Sequence, residues 1–277
     1  MAQKAAIKSR IKSINATKKI TGAMELIATV KLQKQRNHML KNREYIGILK
    51  TTIGNILGGE IDADNAFLKT KDNPKKMVIV FVSDLGLCGG YNVNLTKLLE
   101  KTINEDDELI VVGTSEYKWI KERYSVINDI ISSDDVTYTE LKKLTKQAIE
   151  KYRNNEIGSI QVVYTRFINN VSFEPVSEVV LPCKFDDLKK TSNVEVLLEP
   201  DANDILNHLI PMYVENNVYS RYLEAKTSEQ GSRRFAMQNA TDNASELTDE
   251  LLLAYNQARQ ASITQEITEI VAGADAL

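Results

Sequence analysis

A glycine-rich turn, SDLGLCGGYN at residues 83–92, is the part of this 277-residue chain whose residue types come closest to a chemical site. It follows a predicted strand, and such a turn can hold a phosphate group at the N-terminus of the next helix. However, Gly86, Gly89 and Gly90 do not have the G-x-G-x-x-G spacing, and no G-K-[ST] sequence occurs in the chain. We therefore interpret the segment as a tight turn that leads into a helix.

The remaining reactive side chains do not form a recognisable catalytic or metal-binding pattern. The chain has two cysteines, Cys88 and Cys183, and two histidines, His38 and His208, with no spacing typical of zinc ligands or of a nucleophile and its base. The sequence therefore predicts no catalytic residue, no metal site and no cofactor. The low cysteine count is typical of a protein from a reducing compartment.

Charge is distributed unevenly along the chain. Residues 1–57 contain 12 basic and two acidic residues, a net charge of +10, whereas the rest contains 23 basic and 36 acidic residues, a net charge of −13. The basic segment predicts an anionic partner, although pairing with the acidic part of the same chain would also explain it. Nucleic acid is disfavoured as that partner because Tyr45 is the only aromatic residue of the segment.

Residues 1–57 contain no proline and have apolar residues at steps of three and four, which predicts a long amphipathic helix. Ile7, Ile11 and Ile14 form one apolar series. A second series, after one phase shift, consists of Ile20, Met24 and Ile27. This drifting pattern is typical of a coiled coil.

Residues 201–277 predict a second long helix, with Asp201 as its N-cap. Its regular inner face is predicted to consist of Leu247, Leu251, Ala254, Ala258, Ala261, Gln265 and Thr268, whereas Ile263, Ile267 and Ile270 lie on another face. We expect the two terminal helices to pair antiparallel, with Met24 and Ile27 near the segment 247–261. Two contact faces on the last helix indicate that it is surrounded by partners.

The middle of the chain alternates predicted strands and helices. The predicted strands are 77–83, 108–114, 159–168 and 171–182. This alternation predicts a small, partly parallel sheet. The predicted fold class is therefore α/β plus long helices: a central Rossmann-like α/β domain at 75–200, flanked by coiled-coil helices at 1–57 and 201–277.

Four segments together resemble the gamma subunit of F-type ATP synthase, of the bacterial type. They are IKSRIKSINATKKITGAMELIATVKL (7–32), SDLGLCGGYN (83–92), AMQNATDNASEL (236–247) and YNQARQASITQEITEIVAGADAL (255–277). Their order and spacing match the family from end to end. Two positions depart from the usual pattern: Leu85 stands in place of an arginine, and Arg234 in place of a methionine.

The resemblance implies a non-catalytic rotor subunit of the central stalk, which couples ion flow through the membrane c-ring to ATP synthesis or hydrolysis at the beta-subunit sites. It implies that the helix pair inserts into a ring of three alpha and three beta subunits. It also implies that the α/β domain lies with the epsilon subunit on the c-ring, at the cytoplasmic side of the cell membrane. The transported ion, a proton or sodium, stays open.

The resemblance also implies contact residues in this chain. The positions matching beta-subunit contacts are Met24, Arg233, Arg259, Gln260, Thr264 and Glu266, and those matching the foot that faces the c-ring are Arg43, Tyr45 and Glu199. In particular, we expect Met24, Arg233 and Gln260 to belong to one cluster, and basic residues such as Lys18, Lys31 and Arg36 to face acidic loops of the ring.

Two other functions are compatible with parts of the sequence. A coiled-coil scaffold or adaptor with an α/β head would explain the long helices but not the terminal motif. A nucleotide-binding regulator would require a phosphate-binding motif, which the turn at residues 83–92 does not provide.

Overall fold

The computed structural model describes residues 2–57, 65–185 and 201–275. The order of its elements is α1 (Ala2–Leu57), β1 (Lys76–Phe81), α2 (Tyr91–Thr102), β2 (Glu108–Val112), α3 (Tyr117–Lys121), β3 (Ser125–Val126), α4 (Tyr138–Arg153), β4 (Ser159–Phe167), β5 (Phe173–Leu181) and α5 (Ala202–Asp275). The four predicted strands are present, and the short β3 is an addition that the sequence analysis did not predict. The predicted fold class is confirmed. The chain divides into two compact units: residues 30–232, and residues 1–29 together with 233–277.

The larger unit, residues 30–232, is built around one sheet. In the described part of the chain its strand order is β3-β2-β1-β4-β5, and all neighbours are parallel except β4 and β5. Alternate residues of β1 face opposite layers, because successive side chains of a strand point to opposite sides. Val78 and Val80 pack with α2 and α3, whereas Ile79 and Phe81 pack with α1, α4 and α5.

The helix α5 passes through the core of this unit. Its first turn is capped as predicted, since the Asp201 side chain accepts hydrogen bonds from the backbone N–H groups of Asn203 and Asp204 at 2.6 and 3.0 Å. Between Val214 and Gly231, nearly all residues are buried. In the same unit, α1 runs antiparallel to α5, because Leu32 lies near Gly231 and Arg43 contacts Glu224.

The smaller unit, residues 1–29 and 233–277, pairs the beginning of α1 with the end of α5. The Thr241 hydroxyl donates a hydrogen bond to the Thr21 hydroxyl at 2.8 Å. Because the two helices are antiparallel, Met24, which follows Thr21, lies beside residues that precede Thr241 in the sequence. The predicted register, which placed Met24 beside residues 247–261, is therefore wrong.

The inner faces of this helix pair differ in part from the predicted ones. On α1, Ile7, Ile11 and Ile14 are half-buried as predicted, but the second apolar series, Ile20, Met24 and Ile27, is exposed. The half-buried and buried positions continue instead through a different set of residues: Lys18, Thr21, Gly22, Glu25 and Ala28.

The inner face of α5 also begins and ends differently. Leu251, Ala254 and Ala258 are half-buried, in agreement with the prediction. The other members of the predicted face are exposed: Leu247, Ala261, Gln265 and Thr268. Ala244 is buried in their stead, so the paired part of α5 lies further from the C-terminus than the periodicity predicted.

Candidate functional site

The glycine-rich turn after β1 is held together by its own side chains. The Asn92 amide donates hydrogen bonds to the hydroxyls of Ser83 at 2.7 Å and Ser115 at 3.0 Å, and its oxygen accepts from the Ser83 backbone N–H. Leu87 and Gly89 both have a φ of 59°, which is the left-handed region that tight turns use. The structure thus places a tight turn here, as the glycine spacing predicted.

The cysteines lie in the interior. Cys88 and Cys183 are both buried, and burial raises the pKa of the Cys183 thiol to about 12. A thiol with so high a pKa is almost entirely protonated at neutral pH and is a poor nucleophile. Among the described residues, no group of three or more metal-ligating side chains is close enough to hold a metal ion.

The end of α5 presents the residues predicted to contact the beta subunit. Arg259, Gln260, Thr264 and Glu266 are all exposed. The Glu266 carboxylate accepts one hydrogen bond, from the Ser262 hydroxyl at 3.0 Å. Beside them lies an exposed apolar series, consisting of Ile263, Ile267 and Ile270. Residues that recur at this spacing lie along one side of a helix.

The cluster predicted from Met24, Arg233 and Gln260 is not formed within this chain. Met24 is 37% exposed and Arg233 is half-buried. Gln260 lies 27 residues beyond Arg233 on the continuous helix α5, which corresponds to about 40 Å along its axis. These residues therefore belong to two separate surfaces.

The residues predicted for the foot have different surroundings. Tyr45 is 43% exposed and lines a surface cavity of 320 Å³ with His38 and Lys41. Arg43 has a partner in its own chain, because its guanidinium donates to the Glu224 carboxylate at 3.0 Å. Glu199 lies outside the described residues.

Ion pairs between α1 and the acidic part of the chain were the alternative explanation for the charge distribution, and two such pairs occur among the described residues. Lys31 contacts Asp134 at 3.3 Å, and Arg43 contacts Glu224. Lys31 was predicted to face acidic loops of a ring; it has this partner in its own chain and is half exposed, so the ring contact stays a prediction. Within the described ranges, Lys18 and Arg36 form no such ion pair with the acidic part of the chain.

Two carboxylates, Asp134 and Glu224, were missed by the sequence analysis. Burial alone would raise the pKa of Asp134, but the ammonium groups of Lys226 and Lys31 hold that pKa below its ordinary value. Likewise, burial alone would lower the pKa of Lys226, but the carboxylates of Glu229 and Asp134 raise it. The partners are 92 and 103 residues from Asp134 in the sequence, so no local pattern could have revealed them.

The chain thus consists of one unit built around an α/β sheet and a second unit that is an antiparallel helix pair, with exposed residues at the end of α5. A family model described as ATP synthase matches residues 3–277. The ATP synthase gamma chain of Mycoplasma mycoides subsp. mycoides SC is 37% identical over 274 residues, which cover 98% of this chain and 97% of the relative. The ATP synthase gamma chain of Clostridium kluyveri is 39% identical over 276 residues, with the same coverage.

The chain therefore belongs to the gamma-chain family of ATP synthase. It is a stalk subunit of a membrane-associated complex rather than a catalytic one, as the sequence predicted. A solved structure of the Euglena gracilis mitochondrial ATP synthase with OSCP, F1 and c-ring contains a chain with a TM-score of 0.64 and 19% identity, over 98% of this chain and 94% of that one. At that identity the likeness shows the fold. None of the described helices is long and apolar enough to cross a bilayer.

Proposed function

We propose that this chain is the central rotor of an F-type ATP synthase, and that its helix pair turns inside a ring of three alpha and three beta subunits. The observation that carries the proposal is the tip of α5. Every described side chain from Ile263 to Ala272 is exposed, although three of them are isoleucines. Isolated helices have little stability of their own in water, so a collar of partner subunits would both cover these isoleucines and hold the tip in place.

The composition of the tip suits a part that must turn within its collar. Thr264 and Gln265 are polar and uncharged and alternate with the exposed isoleucines. A broad apolar stripe would favour a single orientation, whereas unpaired charges are costly where water is excluded. A surface of mixed, weakly polar character permits contact at several angles.

We assign the beta-subunit contacts to two regions of the helix pair. The tip contributes Arg259, Gln260, Thr264 and Glu266, and a second region contributes Met24 and Arg233. The exposed apolar residues beside Met24 support the second region: Ile20, Leu26 and Ile27.

The α/β layer, in this proposal, lies with the epsilon subunit on the c-ring, at the cytoplasmic face of the cell membrane. Arg43, Tyr45 and Glu199 contribute to this foot. The half-exposed side chains of Arg43 and Tyr45 support the assignment, because each leaves part of its surface available to a partner.

Single-molecule rotation tests the proposal. The alpha–beta ring is fixed to a surface, and a bead is attached to a cysteine introduced at the exposed Lys118 on α3 (Lys118→Cys). The native Cys88 and Cys183 are buried and should not compete for the label. We expect ATP to drive rotation of the bead in one direction, whereas a bead attached to a beta subunit stays still. ATP hydrolysis with a stationary bead on Lys118→Cys would favour the scaffold function instead.

A further inference from the structure

Asp134, in the loop between β3 and α4, is bonded to both long helices. Its carboxylate pairs with Lys31 of α1 at 3.3 Å and with Lys226 of α5. The Lys226 side chain is only 4% exposed and also pairs with Glu229 at 2.7 Å. One carboxylate of the α/β layer therefore holds α1 and α5 at the same point.

The loop that carries Asp134 is itself fixed to the sheet. The Asp84 carboxylate, three residues after the end of β1, accepts hydrogen bonds from the backbone N–H groups of Ser133 at 2.9 Å and Asp134 at 2.7 Å. The Tyr222 hydroxyl of α5 donates to the Ser133 carbonyl at 2.8 Å. The backbone that carries Asp134 is therefore fixed to the segment after a central strand and to α5.

Glu224 of α5 likewise joins α1, α5 and the α/β layer. We refer to the contacts of Asp134 and those of Glu224 as the two junctions. Its carboxylate accepts hydrogen bonds from Arg43 of α1 at 3.0 Å and from the Phe167 backbone N–H at the end of β4 at 3.2 Å. Arg221 lies 3.5 Å from the same carboxylate and also pairs with Glu178 of β5 at 2.8 Å. The Glu224 side chain is 3% exposed.

The two junctions hold opposite faces of α5. Residues 224 and 226 are two positions apart, which corresponds to about 200° around a helix with 3.6 residues per turn. Contacts on opposite faces resist rotation of a helix about its own axis. The apolar packing around this segment is non-directional, whereas charge-assisted hydrogen bonds have defined lengths and angles.

We propose that Asp134 and Glu224 are the positioning residues through which rotation of the α/β layer is transmitted to α1 and α5. This inference rests on the proposed rotor function and assigns the transmission to particular residues. Each junction joins α1, α5 and the α/β layer, so both helices turn with that layer instead of slipping against it. The effect of losing the junctions should appear under mechanical load, when ions are pumped against a gradient.

The test uses the complete ATP synthase in liposomes, with the double variant Asp134→Asn and Glu224→Gln. Both substitutions keep the shape of the side chain and remove its charge. The control is Asp129→Asn with Glu150→Gln, which removes two carboxylates from exposed positions of the same unit. ATP hydrolysis and ATP-driven ion uptake are measured with and without an opposing ion gradient.

We expect the double variant to hydrolyse ATP at the rate of the control and to lose ion uptake per ATP when the gradient opposes it. When Asp134→Glu takes the place of Asp134→Asn in the double variant, one carboxylate is restored and part of this uptake should return. A general loss of stability would not explain such a recovery. Uptake per ATP equal to the control under every gradient would overturn the inference.

A second variant tests the inference even if the variant with Asp134→Asn and Glu224→Gln does not fold. Lys31→Gln removes only the α1 side of the Asp134 junction, and this side chain is half exposed. We expect the same loss of uptake under load, to a smaller extent, and unchanged uptake would count against the inference. If the wild-type complex itself showed no rotation, the proposed function would be wrong, and this result would be distinct from a failure of the two junctions.

Discussion

Replacing Glu266 with alanine separates a partner contact from a structural role. In this chain the Glu266 carboxylate is exposed and accepts a hydrogen bond from Ser262, four residues earlier on α5. An exposed side-chain pair at this spacing contributes about 0.2–0.5 kcal/mol to a helix, and alanine favours the helix more than glutamate does. We therefore expect Glu266→Ala to leave the melting temperature of the isolated subunit unchanged.

The complex should respond differently. A hydrogen bond to a charged group contributes about 1.5–3 kcal/mol, and each 1.36 kcal/mol corresponds to about a tenfold change in rate. If Glu266 bonds to a beta-subunit loop in the rate-limiting state, Glu266→Ala should lower the ATPase turnover of the complex about tenfold or more. The assay is steady-state ATP hydrolysis by complexes with verified subunit content.

Ser262→Ala is the matched control for this experiment. It removes the same hydrogen bond within the chain and leaves the Glu266 carboxylate in place, so turnover should stay near the wild-type value. Equal losses of turnover in both variants would show that helix geometry, not a partner contact, matters at this position. A large drop in melting temperature with normal turnover would refute the reasoning entirely.

Three further outcomes follow from the structure. Gly113 has a φ of 119°, and a Cβ there would lie 2.2 Å from the Val82 carbonyl oxygen, so Gly113→Ala should lower the free energy of unfolding by about 2–5 kcal/mol. In the same denaturant titration, Gly86→Ala should be nearly neutral, because its Cβ would meet no atom within 4 Å. Thr21→Cys with Thr241→Cys should form a disulfide within one chain on mild oxidation, and bridges only between separate copies would contradict the antiparallel pair. Because the folded-state pKa of Asp134 is lowered from 3.8, its contribution to stability is present above that pH and is lost as the pH falls through the lower value. The stability difference between wild type and Asp134→Asn should therefore shrink below about pH 3.8, and a constant difference would contradict this assignment.

The sequence determined the elements and their order. Strands of β-branched and aliphatic residues, separated by helical periodicities and turns, gave β1, β2, β4 and β5 close to their observed bounds. Asp201 caps α5 as predicted, because an N-cap depends on residues within one turn. Such features are local, and local sequence is sufficient to specify them.

The inner faces of the helix pair were predictable only in part. Ile7, Ile11 and Ile14 face inward, as their periodicity predicted, but Ile20 and Ile27 are exposed. Periodicity identifies which face is apolar and does not tell whether that face meets the same chain or another subunit. The positions that match the family's rotor contacts, such as Met24, stay predictions.

Only the tertiary structure decided how the helices are joined to the α/β layer. Asp134 and Glu224 each bond to groups from distant parts of the chain, and neither lies in a motif. Charged residues at the surface and in such junctions look alike in a sequence, because the difference between them is burial. Burial of Lys226 and Glu224 arises from the packing of α5 against the sheet and α1, which requires segments more than 100 residues apart to meet.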